Sequence, residues 1–129
     1  MEYSTLDKLG VRVSRLGFGC MRFPLTAEGK IDEPRAAAML DTAYKAGVTY
    51  YDTAYFYHQH TGEAFLGRAM KRYPRDTFYL ATKMPMSIVE SLDHAKEIFE
   101  GQLAALQTDY VDFYLLHAVN GERWKQAQG

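Results

Sequence analysis

The sequence has a single cysteine among 129 residues, and this scarcity limits the chemistry open to the chain. Cys20 alone cannot form an internal disulfide, and a metal site built from several cysteines is excluded. Few cysteines are typical of proteins of the reducing cytosol. The sequence also lacks an apolar run near the ~20 residues that span a bilayer, and its N-terminus lacks the basic and apolar regions of a signal peptide. We therefore expect a cytoplasmic protein without a membrane partner.

An excess of charge of one sign is also missing. The formal net charge is −1, while hydrophobic residues make up 47% of the chain. A near-neutral chain lacks the basic surface that binds nucleic acid, so we expect no nucleic-acid partner. The densest basic group is interpreted as the solvated end of a helix, and it comprises Arg68, Lys71, Arg72 and Arg75. Linkers, repeats and low-complexity tracts are absent from the sequence, which predicts one domain over residues 1–129.

Alternating strand and helix patterns follow an N-terminal hairpin. Tyr3–Leu6 and Val11–Val13 flank a turn at Gly10, which predicts the hairpin. Further strands are predicted at residues 16–19, 48–52, 78–83 and 110–117. Helical patterns lie between these strands, and this alternation indicates parallel βαβ units.

Local capping signals indicate where the helices begin and end. Asp32 can cap a first helix, with Pro34 in its first turn and Gly47 just after its end. Ser91 can cap a later helix. The predicted apolar face of that later helix consists of Leu92, Ala95, Phe99, Leu103 and Leu106.

The order of elements is typical of a parallel (β/α)8 TIM barrel, an α/β fold that needs roughly 250 residues. Four strands and about three helices after the hairpin correspond to its N-terminal half. Residues 122–128 resemble the opening of a fourth helix. We therefore expect the chain to be half of a barrel, truncated in the fourth crossover helix.

Three of the predicted strands end in an ionisable residue: Asp52, Lys83 and His117. The carboxyl ends of all strands in a barrel point to the same mouth. Tyr57 lies five residues beyond Asp52, in the loop that is predicted to follow. We expect these four side chains to lie close together.

Side-chain alternation along each strand defines which residues share the inward face. If Asp52 points inward, Tyr50 and Val48 do so too. The same reasoning from Lys83 and His117 adds Ala81, Tyr79, Leu115 and Phe113 to the inward face. Asp112 lies five residues before His117 and therefore faces outward, which predicts a structural pairing with a helix or with the bottom of the barrel.

The four residues at the predicted mouth are suited to proton transfer. A tyrosine hydroxyl can donate a proton, and a nearby lysine ammonium favours the phenolate that remains. An aspartate beside the lysine holds the ammonium in place, and a histidine can hydrogen-bond a substrate oxygen. The set is a proton donor for a carbonyl oxygen that becomes an alkoxide. It contains no hydride source, so a nicotinamide cofactor is required.

Each of the four residues also has a structural interpretation when it is taken alone. Asp52 could cap the next helix, and Tyr57 could pack in the core. Lys83 could lie along the barrel rim with its ammonium in water, and His117 could be a hydrogen-bonded core histidine. The functional interpretation depends on their joint occurrence at consecutive strand ends.

A second polar group, formed by His58, His60 and Glu63, has a spacing that could chelate a metal. No third histidine lies nearby in the sequence, and a solvated polar loop is the simpler interpretation. We therefore predict no metal site. Gly17 and Gly19 are not a dinucleotide-binding fingerprint, because the third glycine is missing at the required spacing.

Four segments of the sequence resemble the aldo-keto reductase family: Leu16–Met21, Ala46–Tyr57, Ala81–Lys83 and Leu106–His117. They occur in the family's order and spacing, and the Asp-Thr-Ala-x-x-Tyr motif at 52–57 is specific. The resemblance implies a (β/α)8 barrel that reduces carbonyl compounds with NADPH, with NADH as the alternative cofactor.

The resemblance also implies a role for each residue of a catalytic tetrad. Tyr57 would be the general acid, and Lys83 would assist its ionisation. Asp52 would hold Lys83, and His117 would orient the carbonyl group of a small-molecule substrate.

Cofactor binding near the nicotinamide is implied for Asp52 and for the segment Gly19, Cys20 and Met21. In the family, most cofactor contacts come from the second half of the barrel. The chain therefore carries the tetrad without the main cofactor clamp.

Two segments, Cys20–Pro24 and Tyr114–Asn120, resemble a bacterial branch of the family. Some members of that branch carry a C-terminal iron–sulfur extension, whose cysteines would lie beyond Gly129. One departure from the family pattern is His58, which follows the tyrosine where glycine is usual, and this altered loop leaves the carbonyl substrate open.

Two functions are compatible with these patterns. The first is an NADPH-dependent carbonyl reductase in a longer protein, in which case the 129-residue chain alone would show little turnover. The second is a non-catalytic half barrel that self-associates, because its first and fourth strands would expose unpaired edges.

Overall fold

An antiparallel hairpin precedes a parallel α/β sheet in the computed structural model of the chain, which describes residues 1–128. The strands are β1 Tyr3–Leu6, β2 Val11–Ser14, β3 Phe18–Gly19, β4 Tyr50–Asp52, β5 Tyr79–Met84 and β6 Phe113–Leu116. The helices are α1 Glu33–Lys45, α2 Tyr57–His60, α3 Gly62–Met70, α4 Leu92–Leu106 and α5 Gly121–Gln128, and a 3₁₀ turn covers Arg75–Thr77.

The four strands of the parallel sheet lie in chain order, β3-β4-β5-β6, while β1 and β2 form a separate two-stranded sheet. Asp52 lies opposite Gly19 on one side and opposite Ala81 on the other. Lys83 lies opposite Leu115 of β6. The predicted hairpin and the predicted parallel pairing of the later strands are therefore confirmed.

Capping side chains begin the two longest helices, as predicted. The Asp32 carboxylate accepts the backbone N–H of Arg35 at 3.3 Å, and the Ser91 hydroxyl accepts that of His94 at 3.1 Å. Gly47 follows the end of α1 with φ +93°, a left-handed conformation that glycine adopts at no steric cost. Local signals alone thus define these helix boundaries.

The two faces of the sheet have different neighbours. On one face, the ring of Phe113 lies 5.3 Å from that of Tyr50 and 6.2 Å from that of Tyr79, which confirms their predicted common face. The other face packs against the helices. The hydrophobic core on that side includes Leu40, Val48, Tyr51, Leu66, Leu80 and Leu106.

The predicted inward orientation of Val48 is wrong, because Val48 is buried in the helix-side core with Tyr51. Strand β4 begins only at Tyr50. Alternation between faces holds only for extended residues, so it could not be continued back to Val48.

The buried stripe of α4 also differs from the predicted one. Leu92 is 72% exposed, whereas Ile98 and Gln102 are buried. Ala95 and Leu106 are buried as predicted. A stripe that joins Ala95 to Leu106 at helical spacing passes through positions 98 and 102, so the polar Gln102 is carried into the interior.

Asp112 has the structural role that was predicted, and its partner corrects another prediction. The guanidinium of Arg75 lies 2.8 Å from Oδ2 of Asp112, which also accepts the backbone N–H of Leu80 at 2.8 Å. Arg75 is therefore not part of a solvated helix end. Its side chain joins the 3₁₀ turn to the start of β6 and lies over the rings of Phe78 and Tyr110.

No helix within residues 1–128 combines the length and the apolar character needed to cross a membrane.

Candidate active site

The side chain of Lys83 is the centre of a polar cluster at the carboxyl ends of β4 and β5. Its Nζ donates to Oδ1 of Asp52 at 2.6 Å and to the backbone oxygen of Thr53 at 2.7 Å. A third, longer contact of 3.3 Å joins Nζ to the hydroxyl of Tyr57. The ammonium also lies 4.9 Å from the centre of the Tyr57 ring, within cation–π range. Lys83 thus connects the carboxylate to the phenol.

Sheet register brings Asp52 and Lys83 together, although 31 residues separate them. Asp52 of β4 pairs with Ala81 of β5, and Lys83 is two residues farther along β5. Residues two apart on a strand share one face, so the lysine side chain projects beside the aspartate. The pair is partly shielded, since the Lys83 side chain is 13% exposed.

Tyr57 begins α2, a single turn with an unusual backbone. His58 and Gln59 both have φ +53°, and His60 has φ +68°. All three values lie in the left-handed region, which is uncommon for residues other than glycine. The predicted loop is therefore a tight left-handed turn. The His58 ring stacks on Phe23 at 5.4 Å, and its Nε2 lies 3.2 Å from both the Phe23 nitrogen and the Cys20 oxygen. These contacts compensate for the strained backbone beside Tyr57.

His117 lies next to the phenol, on the loop after β6. The His117 and Tyr57 rings are perpendicular, with their centres 6.0 Å apart. The backbone N–H of His117 donates to the Met84 oxygen at 2.9 Å, which ties it to the end of β5. Burial lowers the pKa of His117, and the Lys83 ammonium lowers it further. The imidazole is consequently neutral near pH 7 and has one N–H to donate.

The four residues that were predicted to converge are therefore neighbours in the fold. The arrangement can hold a phenol close to an ammonium while a neutral imidazole faces the same space. Such a set can donate a proton to an oxygen that acquires negative charge.

The residues of the alternative metal group point to different partners. His58 contacts the β3 loop, whereas Nδ1 of His60 lies 2.8 Å from the backbone oxygen of Tyr55. Glu63 is buried on α3 and accepts the Thr82 hydroxyl at 2.6 Å. Among residues 1–128, no group of three potential ligands is placed to hold a metal ion.

The segment after β3 borders the cluster through its backbone. Gly19 has open space where a side chain would begin, and Met21 is 51% exposed. Cys20 differs from both, because its side chain is fully buried and burial raises the pKa of its thiol. The Cys20 N–H donates to the backbone oxygen of Asp52 at 2.8 Å. Cys20 is thus joined to the end of β4 through its backbone, and its side chain is part of the hydrophobic core.

Two contributors to the site were missed from the sequence. The backbone oxygen of Thr53 is one of the three partners of Lys83, and no side-chain pattern predicts a carbonyl contact. Gln102 of α4 donates to the backbone oxygen of Lys83 at 2.9 Å. Its position on the buried stripe between Ile98 and Leu106 was a signal that the sequence did contain.

Comparison of the sequence with known proteins identifies a matching family. Residues 15–123 match the family model of the aldo/keto reductase family. Aldo-keto reductase YhdN of Bacillus subtilis is 34% identical over 125 residues, which cover 91% of this chain and 38% of that protein. The chain thus spans less than half the length of this curated relative.

Solved structures agree with the sequence comparison. A thermostable aldo-keto reductase in complex with the inhibitor epalrestat superposes with a TM-score of 0.79 at 30% identity, over 95% of this chain and 44% of that one. An aldo-keto reductase from Klebsiella pneumoniae in complex with NADPH gives 0.75 at 26% identity, over 100% of this chain and 47% of that one. The predicted fold class, part of a (β/α)8 barrel, is confirmed. The chain belongs to the aldo/keto reductase family.

Proposed function

We propose that the chain carries the proton-donating part of a site that reduces an aldehyde or ketone to an alcohol with NADPH. One observation carries the proposal, the position of Lys83 Nζ between Asp52 at 2.6 Å and the Tyr57 hydroxyl at 3.3 Å. The chain spans 38% of the Bacillus relative, so the remaining cofactor contacts would come from residues outside it.

Tyr57 is the general acid in this proposal. Its hydroxyl gives its proton to the carbonyl oxygen as that oxygen gains negative charge. The ammonium of Lys83, 3.3 Å away, stabilises the phenolate that remains. Asp52 and the Thr53 oxygen hold the ammonium in place, so that it does not reorganise during the reaction.

His117 orients the substrate rather than supplying the proton. Because burial and the Lys83 charge lower its pKa, the imidazole is neutral and can donate an N–H hydrogen bond to the carbonyl oxygen. Its perpendicular contact with the Tyr57 ring directs both groups to one space.

The residues near the β3 loop fit a nicotinamide ring. When bound, NADPH supplies the hydride that reduces the carbonyl carbon, and NADH is the alternative cofactor. Space is open where a Cβ at Gly19 would lie, which would allow a cofactor to approach the backbone there, and the exposed Met21 side chain offers an apolar contact. In this proposal Cys20 contributes its backbone to the binding of the cofactor, and Asp52 contributes its carboxylate. An iron–sulfur extension beyond Gly129 stays a prediction.

The test replaces Tyr57 by Phe in the gene product that contains this chain. We expect carbonyl reduction to fall by ~10²-fold or more, the usual contribution of a positioned proton donor, while NADPH binding is unchanged. Tyr44→Phe is the matched control, because its hydroxyl contacts Thr77 away from the cluster. Retention of full reductase activity by Tyr57→Phe would contradict the proposal.

A second candidate function is a non-catalytic half barrel that self-associates. Strands β3 and β6 are the outer members of the described parallel sheet, and Leu115 and Leu116 of β6 are exposed. Unpaired strand edges with apolar residues invite pairing with a second copy. A dimer in sedimentation of the 129-residue chain, without any change in NADPH fluorescence, would favour this function over the reductase.

A further inference from the structure

A buried polar cluster lies between the helices and the sheet, on the face of β5 opposite to the Lys83 side chain. Glu63, Thr82 and Gln102 are 3%, 0% and 1% exposed, respectively. Buried polar groups are destabilising unless they are hydrogen-bonded, so the partners of this cluster indicate what it holds in place.

Gln102 is the centre of the cluster. Its Nε2 donates to Oε2 of Glu63 at 3.0 Å and to the backbone oxygen of Lys83 at 2.9 Å. Its Oε1 accepts the hydroxyl of Tyr114 at 2.5 Å. A reversed amide would place oxygen against two acceptors, so the contacts fix the orientation of this side chain.

Glu63 binds a second group of strand β5, the side chain of Thr82. Its Oε2 accepts the Thr82 hydroxyl at 2.6 Å as well as the Gln102 amide. One carboxylate on α3 is therefore linked to the side chain of Thr82 and, through Gln102, to the carbonyl of Lys83. The Thr82 side chain precedes the Cα of Lys83 in the chain, and the Lys83 carbonyl follows it. The two contacts therefore hold the backbone on both sides of the atom that carries the lysine side chain.

The position at which β4 ends explains why a side-chain donor is needed at the backbone carbonyl of Lys83. The backbone N–H of Thr53 donates to the Ala81 oxygen at 2.9 Å, just beyond the last residue of β4. The next carbonyl on the same edge of β5 belongs to Lys83, since alternate carbonyls point the same way. It lies past the end of β4, and the Gln102 amide donates to it where a neighbouring strand would otherwise do so.

The position of the Lys83 backbone determines where its ammonium lies. The Lys83 side chain has a flexible four-carbon stem, and its Nζ must reach Asp52, Thr53 and Tyr57 at once. Small displacements of a catalytic group can reduce rates strongly. The hydrogen bond from Gln102, which lies on the helix side of the sheet, holds the Lys83 carbonyl and limits such displacements.

We propose that Gln102, oriented by Glu63 and Tyr114, is a positioning residue that fixes the Lys83 backbone and thereby the place of its ammonium between Asp52 and Tyr57. Gln102 does not contact the phenol or the carboxylate of the mouth. Its effect on catalysis rests on the proposed reductase function, whereas its effect on Lys83 does not.

The first test measures the reactivity of each lysine amine toward acetic anhydride in the gene product that contains this chain. In Gln102→Met, which keeps the side-chain length without a donor, we expect Lys83 to be labelled about 3- to 10-fold faster, as for the loss of one hydrogen bond. Labelling of Lys45 and Lys96 should be unchanged. The control is Gln126→Met on exposed α5, which should leave all rates unchanged.

Tyr114→Phe provides a milder variant if Gln102→Met fails to fold, since it removes one hydroxyl, which donates to Oε1 of Gln102 and lies 3.7 Å from Sδ of Met84. It should raise Lys83 labelling by a smaller factor. Unchanged Lys83 labelling in a folded variant, or an equal rise at every lysine, would overturn the proposal.

The kinetic test uses the same variants. We expect kcat for carbonyl reduction to fall about 3- to 10-fold in Gln102→Met, with KM for NADPH unchanged. A rise in KM alone would contradict positioning of Lys83. If the wild-type protein reduces no carbonyl, the proposed function fails, but lysine labelling still decides the role of Gln102.

Discussion

Gly67 of α3 packs directly on the backbone of α4 at Ala105. A Cβ at position 67 would lie 2.5 Å from the Ala105 oxygen and 2.7 Å from the carbonyl carbon of Leu106. Both obstacles are backbone atoms, which cannot rotate away. Glu63 and Gln102 meet across the same helix pair, so this close approach is also what allows the buried polar cluster to form.

We predict that Gly67→Ala lowers the free energy of unfolding by ~1–3 kcal/mol, the usual effect of overpacking. Gly101→Ala is the control, because it lies in α4 with nothing within 4 Å of an added Cβ. That change should raise stability by ~0.5–1 kcal/mol through helix propensity. Urea unfolding of both variants measures the difference, and equal effects would contradict the packing argument.

The second prediction concerns the proton affinity of His117. In an NMR titration its midpoint should lie below the ordinary value of 6.5, because burial and the Lys83 charge lower its pKa. Lys83→Met should raise the midpoint, since it removes one of these causes and leaves the Asp52 charge, which raises the pKa. Lys96→Met, at an exposed pair with Asp93, should have no effect.

The same titration gives the pH dependence of substrate orientation. As the pH falls through the lowered pKa, the imidazole becomes charged and repels the Lys83 ammonium. We expect this repulsion to act only below that pH, while the imidazole carries an N–H donor in both protonation states. A His117 midpoint at or above 6.5 would contradict the burial argument.

The third prediction concerns Glu63 and stability. Burial raises the pKa of Glu63 above its ordinary value of 4.5, against the opposing effect of hydrogen bonds from Thr82 and Gln102. Between 4.5 and the raised pKa, the folded chain binds more protons than the unfolded chain at this group. Its contribution is therefore fully present below pH 4.5 and is lost as the pH rises through the raised pKa.

Glu63→Gln keeps an acceptor for both partners and removes this titration. We expect the free energy of unfolding of the variant to depend less on pH above 4.5 than that of the wild type. Urea unfolding from pH 4 to pH 8 measures this difference. The same substitution at the exposed Glu100 is the control, and identical pH profiles for both variants would argue against a buried, titrating Glu63.

The fourth prediction concerns Arg75, which donates to Asp112, Thr108 and two backbone oxygens. Arg75→Met should lower the free energy of unfolding by ~2–3 kcal/mol, because it leaves a largely buried carboxylate without its cation. Arg15→Met breaks an exposed pair with Glu2 and should change stability by less than ~1 kcal/mol. A double-mutant cycle with Asp112→Asn isolates the pair, and additive effects would exclude coupling.

Features with local causes were predicted correctly. Asp32 and Ser91 cap helices where a short polar side chain precedes a helical pattern, and Gly47 takes a left-handed conformation after α1. Strand alternation correctly grouped Tyr50 with Tyr79, since both rings contact Phe113, because both residues lie within regular strands. Val48 was placed wrongly for the converse reason, since it precedes the extended part of its strand.

The residue type of Gln102 predicts an exposed side chain, because a polar residue on a helix usually faces water, and only its spacing from Ile98 and Leu106 indicates the interior. The helix–helix and helix–sheet packing around α4 carries it into the core, where Glu63, Tyr114 and the Lys83 carbonyl satisfy it. Likewise, Arg75 resembled its basic neighbours in sequence. It is distinguished by the partners that the fold brings to it, which are Asp112, Thr108 and two backbone oxygens.

The sequence by itself determined the order of strands and helices, the caps of α1 and α4, and the set of ionisable residues at the strand ends. These features depend on residue type and short-range periodicity. The tertiary structure decided the distances between the residues of the site and the hydrogen bonds that Gln102 makes to the Lys83 backbone. Asp52 and Lys83 meet across 31 residues because two parallel strands are in register, and Gln102 reaches Lys83 because β4 ends before β5 does. Contacts of this kind arise only when separate elements pack, so no local pattern specifies them.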